Sequence, residues 1–493
     1  HVSALAALQQ LADYHERHGA YAAATDYVRR QLRFDPWKEE AHRQLMRLLA
    51  YQGQRTAALQ QYLALETILR DDLDIEPLAE TQSLYECIRA AEDSRPFLLP
   101  PRNATFVGRE KELALLNDYL TEPEKQLITL TGPGGSGKTA IATETGWRVA
   151  RRFLGPFFHG VFFVPLAGID PRELNGSSDF DPFVTAVAEA IGFSFSGPRR
   201  PREQLARYLQ DKSLLLIVDN VEHVIAKARP LIAELVRQAP GINVLITSRE
   251  RLGLNEEWVL EIEGLSYPAN GHSSAIAGRQ FADPANLPAQ YQALALFESL
   301  GKRLVPDFSI SDETDAGCPL TAVQRIAQLV QGLPLGIELA ASWLRMLNCT
   351  EIAAEIENSL DFLSSAKYDL PSRHRSLRAV FDSSWQLLNT AEQQVLRRLL
   401  VFHGSFDRSA ATAVSDASLA TLSALVDHSM LHRQEMPTDD QTMGHFELLD
   451  VLRQYATEQL ETNTAEADHV REQHAAFYLR FLQQQLDVLK GSD

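Results

Sequence analysis

The sequence predicts a multidomain chain: an α-helical repeat, then an α/β domain built on a parallel sheet, then further helical domains. Three observations carry that expectation. Small residues recur at a 34-residue offset within the first ninety positions, buried-strand and helix patterns alternate from about residue 126 to 263, and helical periodicity resumes near residue 292. At 493 residues the chain exceeds one ordinary domain. A formal charge of −18 with 45% hydrophobic residues argues against broad nucleic-acid binding and against an anionic membrane surface. No apolar run reaches membrane-spanning length and no signal peptide is visible, so no membrane partner is expected. Cys87, Cys318 and Cys349 lie far apart without metal-ligand spacing; no disulfide is expected, and a reducing cytoplasm fits. The chain opens on His1 with a helical pattern under way by Ala4, which reads as a fragment or processed form.

The first element is the repeat. Gly19-Ala20-Tyr21-Ala22-Ala23-Ala24 is echoed by Gly53-Gln54-Arg55-Thr56-Ala57-Ala58, and Ala7 pairs with Ala41 at the same offset. A 34-residue helix–turn–helix period is the tetratricopeptide spacing; small residues let paired helices approach closely. An unrelated bundle with the same spacing is the alternative. The Pro-rich stretch from 94 to 103 reads as a linker.

Next comes Gly132-Pro133-Gly134-Gly135-Ser136-Gly137-Lys138-Thr139, which matches the phosphate-binding loop pattern at every fixed position. A buried strand (126–131) precedes it and a helix (138–152) follows, as the chemistry requires. Backbone N–H groups curl around phosphate oxygens, the helix N-terminus adds partial positive charge, Lys138 reaches the β- and γ-phosphates, and Thr139 takes Mg²⁺. Ala140 continues the helix behind the loop. Further strands are expected at 160–165, 214–218 and 244–249, with helices at 180–191 and 202–209. Asp219 ends one strand, where it either holds Mg²⁺ through water or caps a turn. Asn220 stands where many such ATPases carry a second carboxylate, and an amide cannot accept a proton, so slow hydrolysis is expected. Glu222 is either the substitute base or an exposed helix-start carboxylate. Arg249 is either a sensor of the γ-phosphate or a surface ion pair.

Two resemblances add to this reading. The N-terminal segment resembles the bacterial transcriptional activator domain of SARP-type regulators, through Leu73-Asp74-Ile75-Glu76-Pro77 and Glu80 to Arg89. That likeness implies transcriptional regulation, with DNA reached only through a domain absent from this chain. The rest, from about 104 to 465, resembles the signal-transduction ATPases with numerous domains (STAND), which include the NB-ARC switches. The carrying residues are Thr105 to Glu110, the phosphate loop, Leu216 to His223, Thr247 to Glu250 and Gly332-Leu333-Pro334-Leu335. It implies ATP or ADP with Mg²⁺ as ligand. It places Val107, Gly108 and Arg109 by the adenine and Pro334 against the base. It also implies a winged-helix domain near the C-terminus that locks the nucleotide site. Where relatives carry Met-His-Asp, this chain has Leu448-Leu449-Asp450, so the phosphate-contacting histidine is absent, and His445 stands three residues before Leu448.

The expected organisation is therefore a TPR-like activator domain at 1–93, a linker at 94–103, a P-loop nucleotide domain at 104–265, a loop and small helical domain at 266–365, a winged helix at 366–465 and a further helical region at 466–493. The expected function is a nucleotide-driven signal-transduction switch that regulates transcription, a slow ATPase closed by ADP and opened by exchange, with self-association and an unidentified signal as partners. Defence signalling by the same machinery and a turnover ATPase are the rivals. The basic run from Arg373 to Arg378 reads as a solvated face.

Overall fold

The computed structural model describes residues 2–17, 21–52, 54–90, 97–103, 105–122, 124–151, 157, 159–169, 182–268, 290–305, 308–310, 318–364, 376–437, 442–448, 452–453, 455 and 464–490. The chain begins with α1 (Val2–Arg17), α2 (Tyr21–Phe34), α3 (Glu39–Tyr51), α4 (Arg55–Leu73) and α5 (Ala79–Ala90). Each packs on the next and α3 also meets α5, so the two expected units extend into a half-unit. Ala24, Ala41 and Ala58 are fully buried, as close helix approach requires. Ala7 is exposed, so its match with Ala41 in sequence is not a match in packing.

The central domain contains β1 (Phe97–Leu98), α6 (Glu110–Thr121), β2 (Leu127–Thr131), α7 (Lys138–Arg151), β3 (Val161–Pro165), α8 (Pro182–Ala190), α9 (Pro201–Leu209), β4 (Leu214–Asp219), α10 (Ile225–Gln238), β5 (Ile242–Thr247) and β6 (Glu257–Glu261). The strands form one sheet in the order β1-β3-β4-β5-β2-β6, and every pair is parallel. Alternation along β4 serves both faces. Leu214, Leu216 and Val218 join the core beneath α8 and α10, while Leu215 and Ile217 join the one beneath α6 and α7. Because β2 lies next to β5 and β5 next to β4, the loop after β2 faces the ends of those strands, where Asp219 and Thr247 stand.

Two strands of this sheet were not anticipated. β6 adds to β2 in register Leu127↔Glu257. β1 lies inside the expected linker and pairs with β3 through Phe97↔Val161 and Leu98↔Phe162. A Pro-rich composition hid it, because only two residues of the stretch carry the pairing.

Beyond the sheet come α11 (Gln292–Leu304), α12 (Leu320–Leu329), α13 (Pro334–Ala341) and α14 (Cys349–Asn358), followed by α15 (Leu377–Trp385), α16 (Thr390–Leu399), β7 (Phe406–Asp407), α17 (Arg408–Ser415), α18 (Leu419–Asp427), β8 (Leu431–Pro437), β9 (Thr442–Leu448) and α19 (Thr464–Lys490). Helix starts follow local chemistry: Asn348 with Glu351 and Asn389 with Glu392 form reciprocal capping boxes on α14 and α16. β7, β9 and β8 form an antiparallel sheet, and these helices share one continuous core running from Leu265 to Val470. Cys318 and Cys349 are joined as a disulfide with Cα atoms 5.9 Å apart, contrary to the expectation of none. Their 31-residue separation is large in sequence, but α12 and α14 pack together and bring the helix starts side by side. No single helix among the described residues is long and apolar enough to cross a membrane. Arg373 to Arg375, Leu449 and Asp450 lie outside the described residues, as does most of the expected loop after 266.

Candidate nucleotide site

The phosphate loop has the backbone that its sequence demands. Gly132, Gly135 and Gly137 take φ of 147°, 81° and 92°, conformations that L side chains rarely adopt. A Cβ on Gly132 would also run into the Ile262 carbonyl. Lys138 and Thr139 open α7 directly behind the loop, with Ala140 one residue further along the same turn. The Lys138 ammonium donates to the carbonyls of Gly132 (2.7 Å) and Pro133 (2.9 Å). Desolvation, with Arg249 adding repulsion, brings its pKa down to about 8 against the pull of Glu222 and Asp219.

At the loop's other side Asp219 is buried at the end of β4. Its Oδ1 accepts from the Thr139 hydroxyl (2.7 Å) and from the Thr247 hydroxyl (2.6 Å). Thr247 also accepts from the Asn220 backbone N–H at 3.0 Å. One threonine from β5 thus fixes both the carboxylate and the turn after it. Thr247 stood in the sequence only as a strand-end residue within the Thr247–Glu250 resemblance, with no role assigned to its hydroxyl. Asn220 sits at φ 65°, and its side chain turns to His223 Nδ1 (3.1 Å).

Glu222 and Arg249 are not surface groups. They form an ion pair at 3.3 Å with side chains only 8% and 7% exposed. Glu222 precedes α10 by three residues, so it is neither exposed nor a helix-start residue. Arg249 also donates to the Val380 carbonyl (3.1 Å) and to the Ser384 hydroxyl, both on α15. Glu222 Oε2 and Ser136 Oγ are buried without a hydrogen-bond partner among the described residues, a state that costs stability unless something else completes it.

Three segments from elsewhere close on the loop. Val380 lies against Gly134, where a Cβ would overlap it. Leu335 N–H donates to Gly135 O at 3.3 Å, and Pro334, first residue of α13, faces Gly137. Arg109 is buried at φ 69° and donates to Ser136 O (3.0 Å), Glu263 O (2.6 Å) and Glu112 (2.8 Å). Its guanidinium therefore braces the loop's backbone. Val107 packs on the helical core, and Gly108, at φ 71°, leaves room for Gln292 of α11.

The C-terminal helices and β8 meet the central domain through more charge. Arg251 pairs with Asp427 (3.4 Å), His428 approaches Glu250 (3.4 Å) and Glu392 (3.9 Å), and Ser429 donates to Arg249 O (3.0 Å). His432 on β8 reaches Glu263 (3.2 Å) and Glu261 (3.8 Å). Glu261 as a hydrogen-bond partner, helped by nearby carboxylates, holds His432 above its usual range despite burial. Neither histidine was singled out in the sequence: Glu250 lies 178 positions from His428 and Glu261 lies 171 positions from His432. His445, the expected neighbour of the missing motif histidine, lies on β9 opposite Asp407 and Gln434. Arg378, from the basic run, pairs with Asp361.

The donor set fits a nucleotide diphosphate or triphosphate with Mg²⁺. A loop of strained glycines, a buried ammonium, an orphaned Ser136 hydroxyl and the Thr139–Asp219 pair are together what phosphate and magnesium recognition require.

Comparison with known proteins agrees with this geometry. The sequence matches the bacterial transcriptional activator domain over residues 1–89, the AAA ATPase domain over 105–247 and the winged helix-turn-helix domain over 388–461. It is 29% identical over 362 residues to a putative HTH-type transcriptional regulator of Mycobacterium tuberculosis, covering 72% of this chain and 36% of that protein. An uncharacterized protein of the same species is 28% identical over 395 residues, covering 78% of this chain and 88% of its own length. The transcription activator GutR of Bacillus subtilis is 29% identical over 183 residues, 34% of this chain and 21% of that protein. Among solved structures, a STAND protein with a tetratricopeptide repeat sensor from Pyrococcus horikoshii aligns over 77% of this chain and 46% of its own, at 14% identity and a TM-score of 0.27, a likeness too slight to carry inference. The chain is thus a multidomain protein that joins, in order, a bacterial transcriptional activator domain, an AAA ATPase domain and a winged helix-turn-helix domain.

Proposed function

We propose that the chain is an adenine-nucleotide switch that regulates transcription, closed with ADP and opened by exchange to ATP, with self-association following. The observation that carries this reading is the convergence of Val380, Leu335 and Arg109 on the phosphate loop. A ligand held there touches segments from three parts of the chain, so its differential affinity biases how they pack. Lys138 and the loop amides bind the phosphates; Thr139 and Asp219 hold Mg²⁺, which neutralises phosphate charge. Val107, Gly108 and Pro334 border the base side, and adenine is favoured over guanine on resemblance.

Arg249 is the pivot. In the closed packing its guanidinium serves Glu222, Val380 and Ser384. A γ-phosphate offers the same cation a stronger partner, and taking it releases α15. The transcriptional output rests on the N-terminal domain match and on the printed names of the relatives. The winged helix serves as the lock. After Arg408, which opens α17, no Lys or Arg occurs before Arg433, so α18 carries none, and its end is engaged by Arg251 and Glu250. A DNA-reading helix needs cations for phosphate contact.

A turnover ATPase is the second reading, favoured by the buried Glu222 carboxylate near Lys138. Its pairing with Arg249 and the amide at Asn220 oppose it. Small-angle scattering of the full chain tests the switch. A larger radius of gyration with a slowly hydrolysed ATP analogue than with MgADP is expected; equal radii contradict it. Single-turnover hydrolysis faster than about 1 s⁻¹ would favour the turnover enzyme.

A further inference from the structure

We propose that the contact between the C-terminal part of the chain and the central domain is a latch worked by protons, in which His428 and His432 join the two only while their imidazoles carry charge; the inference rests on the closed and open packings of the reading above. Histidine is the side chain whose ordinary charge change falls near neutrality. Two of them stand at this junction, each between carboxylates. His432 on β8 reaches Glu263 at 3.2 Å and Glu261 at 3.8 Å. Glu447 stands opposite it in register on β9, with His445 two positions along the same face. His428, just beyond α18, has Glu250 at 3.4 Å from one ring nitrogen and Glu392 of α16 at 3.9 Å from the other.

The surrounding charges leave the task to these two rings. The central domain brings Glu250, Glu261 and Glu263 to the junction, and the C-terminal part brings Glu392, Asp427 and Glu447. The permanent cations nearby are engaged. Arg251 pairs with Asp427 and also draws on Glu261. Arg249 is held by Glu222, and Arg229 of α10 acts on Glu250 from the central side. With neutral imidazoles, carboxylates therefore face carboxylates across the junction. With imidazolium ions the two sides are complementary. As a neutral ring His428 also leaves Nδ1 buried without a hydrogen-bond partner among the described residues, which costs stability.

The direction of the effect follows from where the partners sit. The hydrogen bond to Glu261, ahead of opposing desolvation and helped by Glu263 and Glu447, holds His432 above its ordinary range. Glu261 and Glu263 belong to the central domain, so the open form lacks them. Closing therefore tightens the hold on the proton. Its contribution is complete below about pH 6.5, the ordinary histidine value, and is lost as pH rises through the raised one. Burial, against the pull of His428, pushes the Glu250 carboxyl up, so the second pair gains from a proton in the same sense. While the closed form predominates, MgADP affinity is not moved by the latch.

Small-angle scattering of the full chain without nucleotide, at about pH 6 and about pH 8.5, tests this in the wild type, His432→Gln and His432→Lys. A lysine keeps its charge at both values. The wild type is expected to be compact at the lower pH and larger at the higher one, with the closed-to-open ratio falling several-fold, and added salt narrows the difference. His432→Gln is larger than the wild type at the lower pH and responds less to pH. His432→Lys is more compact than the wild type at the higher pH, which a variant that had merely lost its fold could not be. Equal wild-type radii at the two pH values, or a pH response as large in both variants as in the wild type, overturns the latch. Added MgADP separates the two readings: a radius that it leaves unmoved at either pH, with the pH response intact, removes the nucleotide switch and supports the latch alone.

Discussion

Lys138 sits in an environment that makes its charge conditional. Its ammonium is held by two carbonyls, and desolvation lowers its pKa to about 8. Phosphate binding stabilises the charged form and raises that pKa, so binding above it must take up a proton. MgADP affinity is accordingly flat from pH 6.5 to 7.5 and falls above about pH 8, approaching tenfold per unit; calorimetry at pH 7 and pH 9 reads it, and equal affinities would contradict it. Asp219 meets Thr139 directly. Asp219→Ala should weaken binding more with Mg²⁺ than in EDTA, whereas equal loss in both would remove its metal role. The phosphate-loop residues were legible because they are contiguous and their chemistry is local. Arg249 and Glu222 were legible as candidates but not as a pair. Their burial depends on α15, more than 130 positions downstream, which nothing in the local sequence announces.

At the scale of elements, the packing of α15 on the phosphate loop decides the behaviour. Val380 fills the space above Gly134, and a Cβ at that position has nowhere to go. Gly134 has no positive φ, so alanine is acceptable to its backbone. Gly134→Ala should therefore open the α15 contact without unfolding the ATPase domain, raising the proteolytic sensitivity of α15 itself, and Val380→Ala in the same chain should restore resistance. A double variant as sensitive as the single would contradict the contact. The inner strands β2 to β5 and helices α7, α8 and α9 were legible from periodicity and burial runs, whereas α6, α10, α17 and α18 were not singled out. β1 was not, since its two residues gain their pairing only from β3. The β8 hairpin was hidden by its mixed polar sequence, and the disulfide by sequence distance.

On the scale of the whole molecule, domain order was legible because each domain carries its own local signal: a 34-residue offset, a phosphate loop, a late helix–strand pattern. How the domains meet was not. Their junctions are built from ion pairs and single apolar contacts, such as Arg251 with Asp427 and His432 with Glu263, which have no sequence period. Individually such pairs contribute little, about 0–1 kcal/mol when exposed, so the ligand's differential affinity for the two forms decides the balance between closed and open packing. A shift from mostly closed to mostly open needs about a 10⁴-fold difference in affinity between the two forms. Purified full chain titrated calorimetrically with MgADP reads the site on which all of this depends. The account predicts one site of micromolar or tighter affinity in the wild type and none in Lys138→Ala. No heat in the wild type, or equal binding by the two proteins, would contradict it.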